Sequence, residues 1–189
     1  MIQQRTAVCR DGGFQTRAEG GELYIEGYFA TFTGQYEMWE NAVERVDPHA
    51  FDDTLNGDIR ALVDHNSTLV LGRTTAGTLT LRVDDKGLWG SIRINQEDRD
   101  AMNLYNRVKR RDVTQCSFGF EIAEEDVEEL PGGTTRFTLL RVKLWEVSVV
   151  TFPAYEDTGV EARKRDFEKI QAKRDAAWRD AMLKKLKGD

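Results

Sequence analysis

The chain has few residues that could do chemistry beyond simple ionisation. It has 189 residues, with His49 and His65 as its histidines, Cys9 and Cys116 as its cysteines, and Ser67, Ser91, Ser117 and Ser148 as its serines. A zinc site asks for three or four His, Cys or carboxylate ligands at workable spacing, and these residues do not offer it. Neither standard Gly-rich phosphate loop occurs, so nucleotide chemistry is poorly supported. A nucleophile–base–orienter hydrolase asks for less: a Ser or Cys, a His within reach, and a third group to hold the imidazole. Ser117 sits in the short strand-type run Thr114-Gln115-Cys116-Ser117-Phe118-Gly119-Phe120. Gly119 is its neighbour on the same strand face, which suggests a serine open to approach. Cys116 shares its face with Phe118 and Phe120, where a small thiol is ordinary core packing.

Of the two histidines, His65 ends the apolar run Ile59–His65, whereas His49 falls inside a helix start at Pro48. His65 is therefore the better base. Glu146 is an acid in the apolar strand Leu144–Phe152, and glutamate is rarely buried without a partner. Orienting His65 is one explanation. An ion pair with Arg141 or Lys143 is the other, and on residue type alone it ranks slightly ahead. Asp64 competes as orienter, but consecutive strand residues point to opposite faces. A metal-dependent hydrolase built on Asp64 and His65 is a distant third reading.

These residues need a frame. Hydrophobic residues make up 40%, charged ones 32%, and the net charge is −6, a balance expected of one soluble domain without wholesale nucleic-acid binding. No apolar run approaches the ~20 residues of a membrane span, and no signal-peptide core is apparent at the N-terminus. Unpaired cysteines suit a reducing interior. Residues 1–21 read as an arm able to pair at an edge, and Glu22–Phe32 as a strand apolar on both faces. Ala42–Val46 reads as a further strand. Asp47 as cap and Pro48 as first helical residue predict a short helix ending near Asn56-Gly57. Strands follow at Ile59–His65, Val70–Arg73, Gly77–Val83 and Gly87–Ile94, with a tight turn at Asp84–Gly87.

Asn95 is placed to cap a helix whose stripe is Ala101, Leu104, Tyr105 and Val108, with Lys109, Arg110 and Arg111 in its last turn. The Ser117 strand runs to Ile122, and Glu124–Glu129 reads as a solvated acidic loop. Thr134–Val142 and Leu144–Phe152 return as strands, the latter with Leu144, Glu146, Ser148 and Val150 on one face. Asp166–Lys187 has helical spacing with a narrow apolar stripe, better suited to a peripheral or partner-binding helix than to core.

Taken in order, several segments resemble a known family. They are Gly27-Tyr28-Phe29-Ala30, Asp47-Pro48-His49-Ala50-Phe51, Asp64-His65, Leu71-Gly72, Ser117-Phe118-Gly119-Phe120 and Glu146-Val147-Ser148-Val149-Val150-Thr151-Phe152-Pro153-Ala154. The ordered set resembles the prohead (maturation) proteases of tailed bacteriophages, relatives of the herpesvirus assemblin serine proteases, over about residues 22–161. The resemblance implies Ser117 as nucleophile, His65 as base and Glu146 as third member. Two departures stand out: the family often has Gly where His49 stands, and the herpesvirus relatives use a second histidine where Glu146 falls.

The implied fold is mainly β, a closed or nearly closed antiparallel β-barrel of about seven strands with helices around it, assemblin-like. Residues 1–21 would form the arm, 22–161 the protease domain and 162–189 a charged C-terminal helix. The implied activity is a serine endopeptidase acting on the major capsid protein and its scaffolding segment, and on itself. It would work in the host cytoplasm inside assembling proheads, with no cofactor and with self-association as an option. The rival reading is a non-enzymatic capsid assembly or scaffold module. Oxyanion donors would be backbone N–H groups, with the turn Thr151–Tyr155 as candidate.

Overall fold

The structure, a computed structural model, describes residues 3–7 and 13–152, together with the isolated helical positions Glu168, Ala172, Ala176, Arg179 and Met182. The chain divides into two compact units, Met1–Tyr155 and Glu156–Asp189. The C-terminal helix expected over Asp166–Lys187 lies outside the described residues, apart from those isolated positions.

Unit 1 is mainly β, with eleven strands and one α-helix among its described residues: β1 (Gln3–Ala7), β2 (Gln15–Glu19), β3 (Glu22–Thr31), β4 (Tyr36–Trp39), β5 (Ala42–Val46), β6 (Arg60–Val63), β7 (Asn66–Arg73), β8 (Leu79–Val83), β9 (Gly87–Ile94), α1 (Arg99–Arg110), β10 (Gln115–Leu130) and β11 (Thr134–Val150). The strands form two hydrogen-bonded sheets. One runs β2-β3-β9-β8, all antiparallel. The other is seven-stranded and built around β11, which pairs antiparallel with β10 along one edge. Along its other edge β11 pairs in parallel, first with β5 and then with β6. Among the described residues the pairing does not close into one barrel, and the parallel ladders depart from the all-antiparallel expectation. Local alternation identifies strands but carries no record of such distant partners.

Apolar side chains from both sheets and from α1 share one core. On β10 and β11, Cys116, Phe118, Val147 and Val149 lie on the face that enters it, and all are buried. The stripe Ala101, Leu104, Tyr105 and Val108 faces inward as expected. The helix begins later than Asn95, however, because the Asp98 carboxylate accepts from the N–H groups of Asp100 and Ala101, making Asp98 the cap. Asn95 instead accepts from the Glu97 N–H at 3.0 Å.

Three further expectations change. The helix over Asp47–Asn56 is a succession of turns, with i+3 bonds such as Ala50 N to Asp47 O and Thr54 N to Phe51 O. The Ala50 carbonyl, which an α-helix would give to Thr54, is taken by the Val142 N–H of β11 at 3.0 Å. The Thr54 hydroxyl likewise accepts from the Leu144 N–H at 2.8 Å. Docking on β11 wins over local helix preference. The acidic stretch Glu124–Glu129 is not a loop but the outer half of β10, laddered to Thr135–Arg141 and turning at Gly132-Gly133. Finally, the strand begun at Ile59 stops at Val63. Asp64 and His65 form a two-residue turn into β7, with Val63 opposite Asn66 and φ of 46° and 57°. At the base of this hairpin Arg73 grips Asp58 through both carboxylate oxygens at 2.5 Å, and that bond holds the Asp58 carboxyl well below the usual range.

Candidate active site

The site is built on the face of the β11 sheet opposite the Cys116–Phe118 core face. Gln115, Ser117 and Gly119 project there from β10 and stand opposite Val150, Ser148 and Glu146 of β11. The register then slips: Phe120 faces Leu144, so Trp145 is an extra residue in β11. The slip sends Leu144 into the core while Glu146 and Ser148 stay on the site face. The expected alternation through Leu144 therefore fails at Trp145.

The Asp64–His65 turn folds the imidazole over this face. Nδ1 of His65 meets Glu146 Oε1 at 2.6 Å, and the two side chains are only 8% and 11% exposed. The other oxygen, Oε2, accepts from the Ser148 hydroxyl at 2.6 Å. Ser148 Oγ in turn accepts from the backbone N–H of His65 at 3.2 Å. A closed circuit results, running from the His65 backbone through Ser148 and Glu146 to the His65 ring. With Nδ1–H donating to the carboxylate, Nε2 carries the lone pair. Nε2 is buried and makes no hydrogen bond among the described residues.

The partners of Glu146 decide between the two sequence explanations for this acid. Arg141 pairs with Asp53, and Lys143 lies over the Trp145 ring at 4.0 Å, so neither cation takes Glu146. Asp64 does not orient the imidazole either. Its Oδ1 accepts from the Thr151 N–H at 2.7 Å, and its own N–H bonds Val149 O, which extends the β6–β11 ladder into the turn. His49 lies outside the site, 82% exposed and bonded to Asp52. The Cys116 thiol faces the opposite side and donates to Tyr28 O at 3.0 Å.

Ser117 is in strand register with Ser148, one strand from the circuit, and has no exposed surface. The opening that Gly119 suggests is already filled. A Cβ built there would lie 2.5 Å from Glu146 Oε1, so the glycine makes room for the carboxylate rather than for a visitor. The site is closed in this conformation. A cavity of about 160 Å³ that includes Asp53, Thr54, Arg141 and Lys143 in its lining contains none of these groups. Ser148 is the residue that sequence reasoning passed over. Its signal was available: a hydroxyl two positions after Glu146, hence on the same strand face, inside an apolar run. Among the described residues no cluster of three or more His, Cys, Asp or Glu is placed to hold a metal ion.

The arrangement has the parts that acyl transfer by a serine requires: a hydroxyl, a bare imidazole nitrogen and a carboxylate fixing the opposite ring nitrogen. The same residues fall within a wider likeness. The chain is 27% identical over 150 residues to the prohead protease of Enterobacteria phage HK97, covering 77% of this chain and 62% of that protein. It thus spans less than two thirds of that relative's length. A solved structure of the bacteriophage T4 capsid assembly protease overlaps with 81% of this chain and 98% of its own, at a TM-score of 0.49 and 12% identity. The family profile described as caudovirus prohead serine protease matches residues 13–173, most of the sequence, and the chain belongs to that family.

Proposed function

We propose that this chain is a serine endopeptidase that cleaves capsid and scaffold protein segments during phage head maturation, with Ser117 as nucleophile, His65 as base and Glu146 as orienter. The observation that carries the reading is the Glu146–His65 Nδ1 contact of 2.6 Å, which leaves Nε2 without a partner on the face that bears Ser117. In the reaction, Nε2 takes the Ser117 proton as Oγ attacks the scissile carbonyl, then returns it to the leaving amine. Glu146 holds the Nδ1–H tautomer and stabilises the imidazolium that forms. Backbone N–H groups supply the oxyanion donors. The substrate is the major capsid protein with its scaffolding segment, and the chain itself is a further substrate, all inside the assembling prohead. Because Ser117 and Nε2 are buried, a peptide is admitted only after the site opens.

The test is mass spectrometry of capsid protein co-expressed with the chain. Ser117→Ala should lose cleavage by several orders of magnitude, roughly 10^6-fold in well-studied triads, and keep the fold. Cys116→Ala should keep most activity. The opposite pattern would move the nucleophile to the thiol, and intact capsid protein with the wild-type chain would favour a scaffold role.

A further inference from the structure

Three buried side-chain polar atoms among the described residues have no hydrogen-bond partner: His65 Nε2, Gln115 Oε1 and Trp145 Nε1. Trp145 sits at the register slip in β11. The other two belong to the same neighbourhood. Gln115 precedes Ser117 by two residues on β10 in unbroken register, so both side chains rise from one face, about 7 Å apart along the strand. Native folds rarely leave a buried amide oxygen without a donor, since water would otherwise have supplied one. Nε2 has an explanation in the proton it is placed to accept. The Gln115 oxygen has none among the described residues.

We propose that Gln115 is a substrate-binding residue, whose Oε1 accepts a backbone N–H from the peptide being cleaved. This rests on the Ser117 reading above and extends it. An extended peptide presents N–H groups at intervals of about 7 Å on each edge, since alternate residues share an orientation. A peptide lying along β10 with its scissile carbonyl over Ser117 brings one of these N–H groups within a few ångströms of Gln115, a gap the flexible glutamine side chain can span. Backbone recognition of this kind selects an extended, unfolded segment and carries no preference for side chains. That chemistry suits cleavage within an extended protein segment.

The experiment separates the substrate's hold from the machinery. Diisopropyl fluorophosphate phosphorylates an activated serine without offering any peptide N–H. Its labelling of Ser117, followed by mass, reports the serine, base and orienter alone. Cleavage of co-expressed capsid protein reports these together with peptide binding. Gln115→Leu should label within about 3-fold of wild type and cleave about 10- to 100-fold more slowly, the loss expected when a buried N–H is left without its acceptor. Gln115→Glu keeps an acceptor in place and should recover much of the cleavage.

Wild-type cleavage by Gln115→Leu would overturn the proposal. So would a parallel loss of labelling and cleavage, which would make Gln115 a support for the fold, or a Gln115→Glu variant no better than the leucine. A wild-type chain that cleaves capsid protein while Ser117 resists labelling would remove the nucleophile assignment on which the proposal stands.

Discussion

Two hairpin turns in this molecule share one backbone geometry and differ in every side chain. Between β2 and β3, Gly20 and Gly21 make a two-residue turn with φ of 61° and 86°, and Glu19 stands opposite Glu22. Between β6 and β7, Asp64 and His65 make the same kind of turn at 46° and 57°. Turns with both central residues at positive φ favour glycine and asparagine, because a Cβ there meets the backbone. The first turn follows this rule and joins two strands. The second has no glycine at either position, and each of its side chains has a fixed partner. Asp64 receives the Thr151 N–H, and His65 is tied to Glu146 through its ring and to Ser148 through its backbone. Among the described residues the other non-glycines at positive φ are Asn41 and Arg111, which stand alone. Left-handed backbone without glycine is tolerated where surrounding contacts over-determine it, and such places concentrate at functional sites.

The largest effect expected from this contrast is at His65. Replacing it by Ala or by Gly should abolish capsid-protein cleavage equally, to the level of Ser117→Ala. Stability should separate the two variants. Both lose the imidazole, but only alanine keeps a Cβ in the left-handed region, at a cost of about 1 kcal/mol relative to glycine. For a domain of this size the glycine variant should melt about 2–4 °C higher than the alanine one. Equal melting temperatures would mean that the turn carries no backbone strain, and the contrast with Gly20-Gly21 would lose its meaning.

That strained turn also marks the limit of sequence reading. Ile59–Val63 is apolar and strand-like, and that pattern outweighs the turn formers Asp64, Asn66 and Ser67 beyond it, because no glycine marks the reversal. The run therefore reads as a strand continuing through His65. The objection to Asp64 as orienter rested on strand alternation, which does not apply within a turn. In the structure Asp64 accepts from the Thr151 N–H, and it is Glu146 that meets the His65 ring. Where local pattern and tertiary structure agree, the sequence was informative. The stripe on α1, the Asp84–Gly87 turn, the Cys116–Phe118 core face and the isolation of Glu146 in an apolar strand were all visible. The outer half of the β10–β11 hairpin was hidden because Glu124–Glu129 has the composition of a solvated tip, yet its ladder is set by β11. The parallel pairing of β11 with β5 and β6 could not be read at all, since register between distant segments leaves no local trace.

A middle-sized effect is expected at Ser148, which joins the turn to the carboxylate. Ser148→Ala strips Glu146 Oε2 of its donor and the His65 N–H of its acceptor in one step. Each buried group left unsatisfied costs about 1–3 kcal/mol. Melting should fall by several degrees, and cleavage should fall about 10- to 100-fold as the imidazole loses its fixed orientation. A threonine keeps the hydroxyl and should restore part of both. If Ser148→Ala lost stability alone and kept wild-type cleavage, the circuit would be structural, and the comparison would reduce to a statement about folding.

The smallest effect should be at Asp64, and it tests the comparison from the other side. Asparagine tolerates positive φ and still offers an oxygen to the Thr151 N–H, so Asp64→Asn should change stability by less than about 0.5 kcal/mol. Asp64→Gly relieves the backbone by about 1 kcal/mol but forfeits an exposed hydrogen bond worth about 0.5–1.5 kcal/mol. These terms nearly cancel, and thermal melts of the two variants should lie within a few degrees of wild type. Cleavage should stay within a few-fold for both, because the carboxylate that holds His65 belongs to Glu146. The asparagine variant is the more telling one, since it removes a carboxylate beside the proposed base without altering the turn. Should Asp64→Asn lose cleavage as completely as His65→Ala while Glu146→Gln keeps it, the orienter would be Asp64 after all. Its left-handed backbone would then serve the chemistry directly rather than anchor β11.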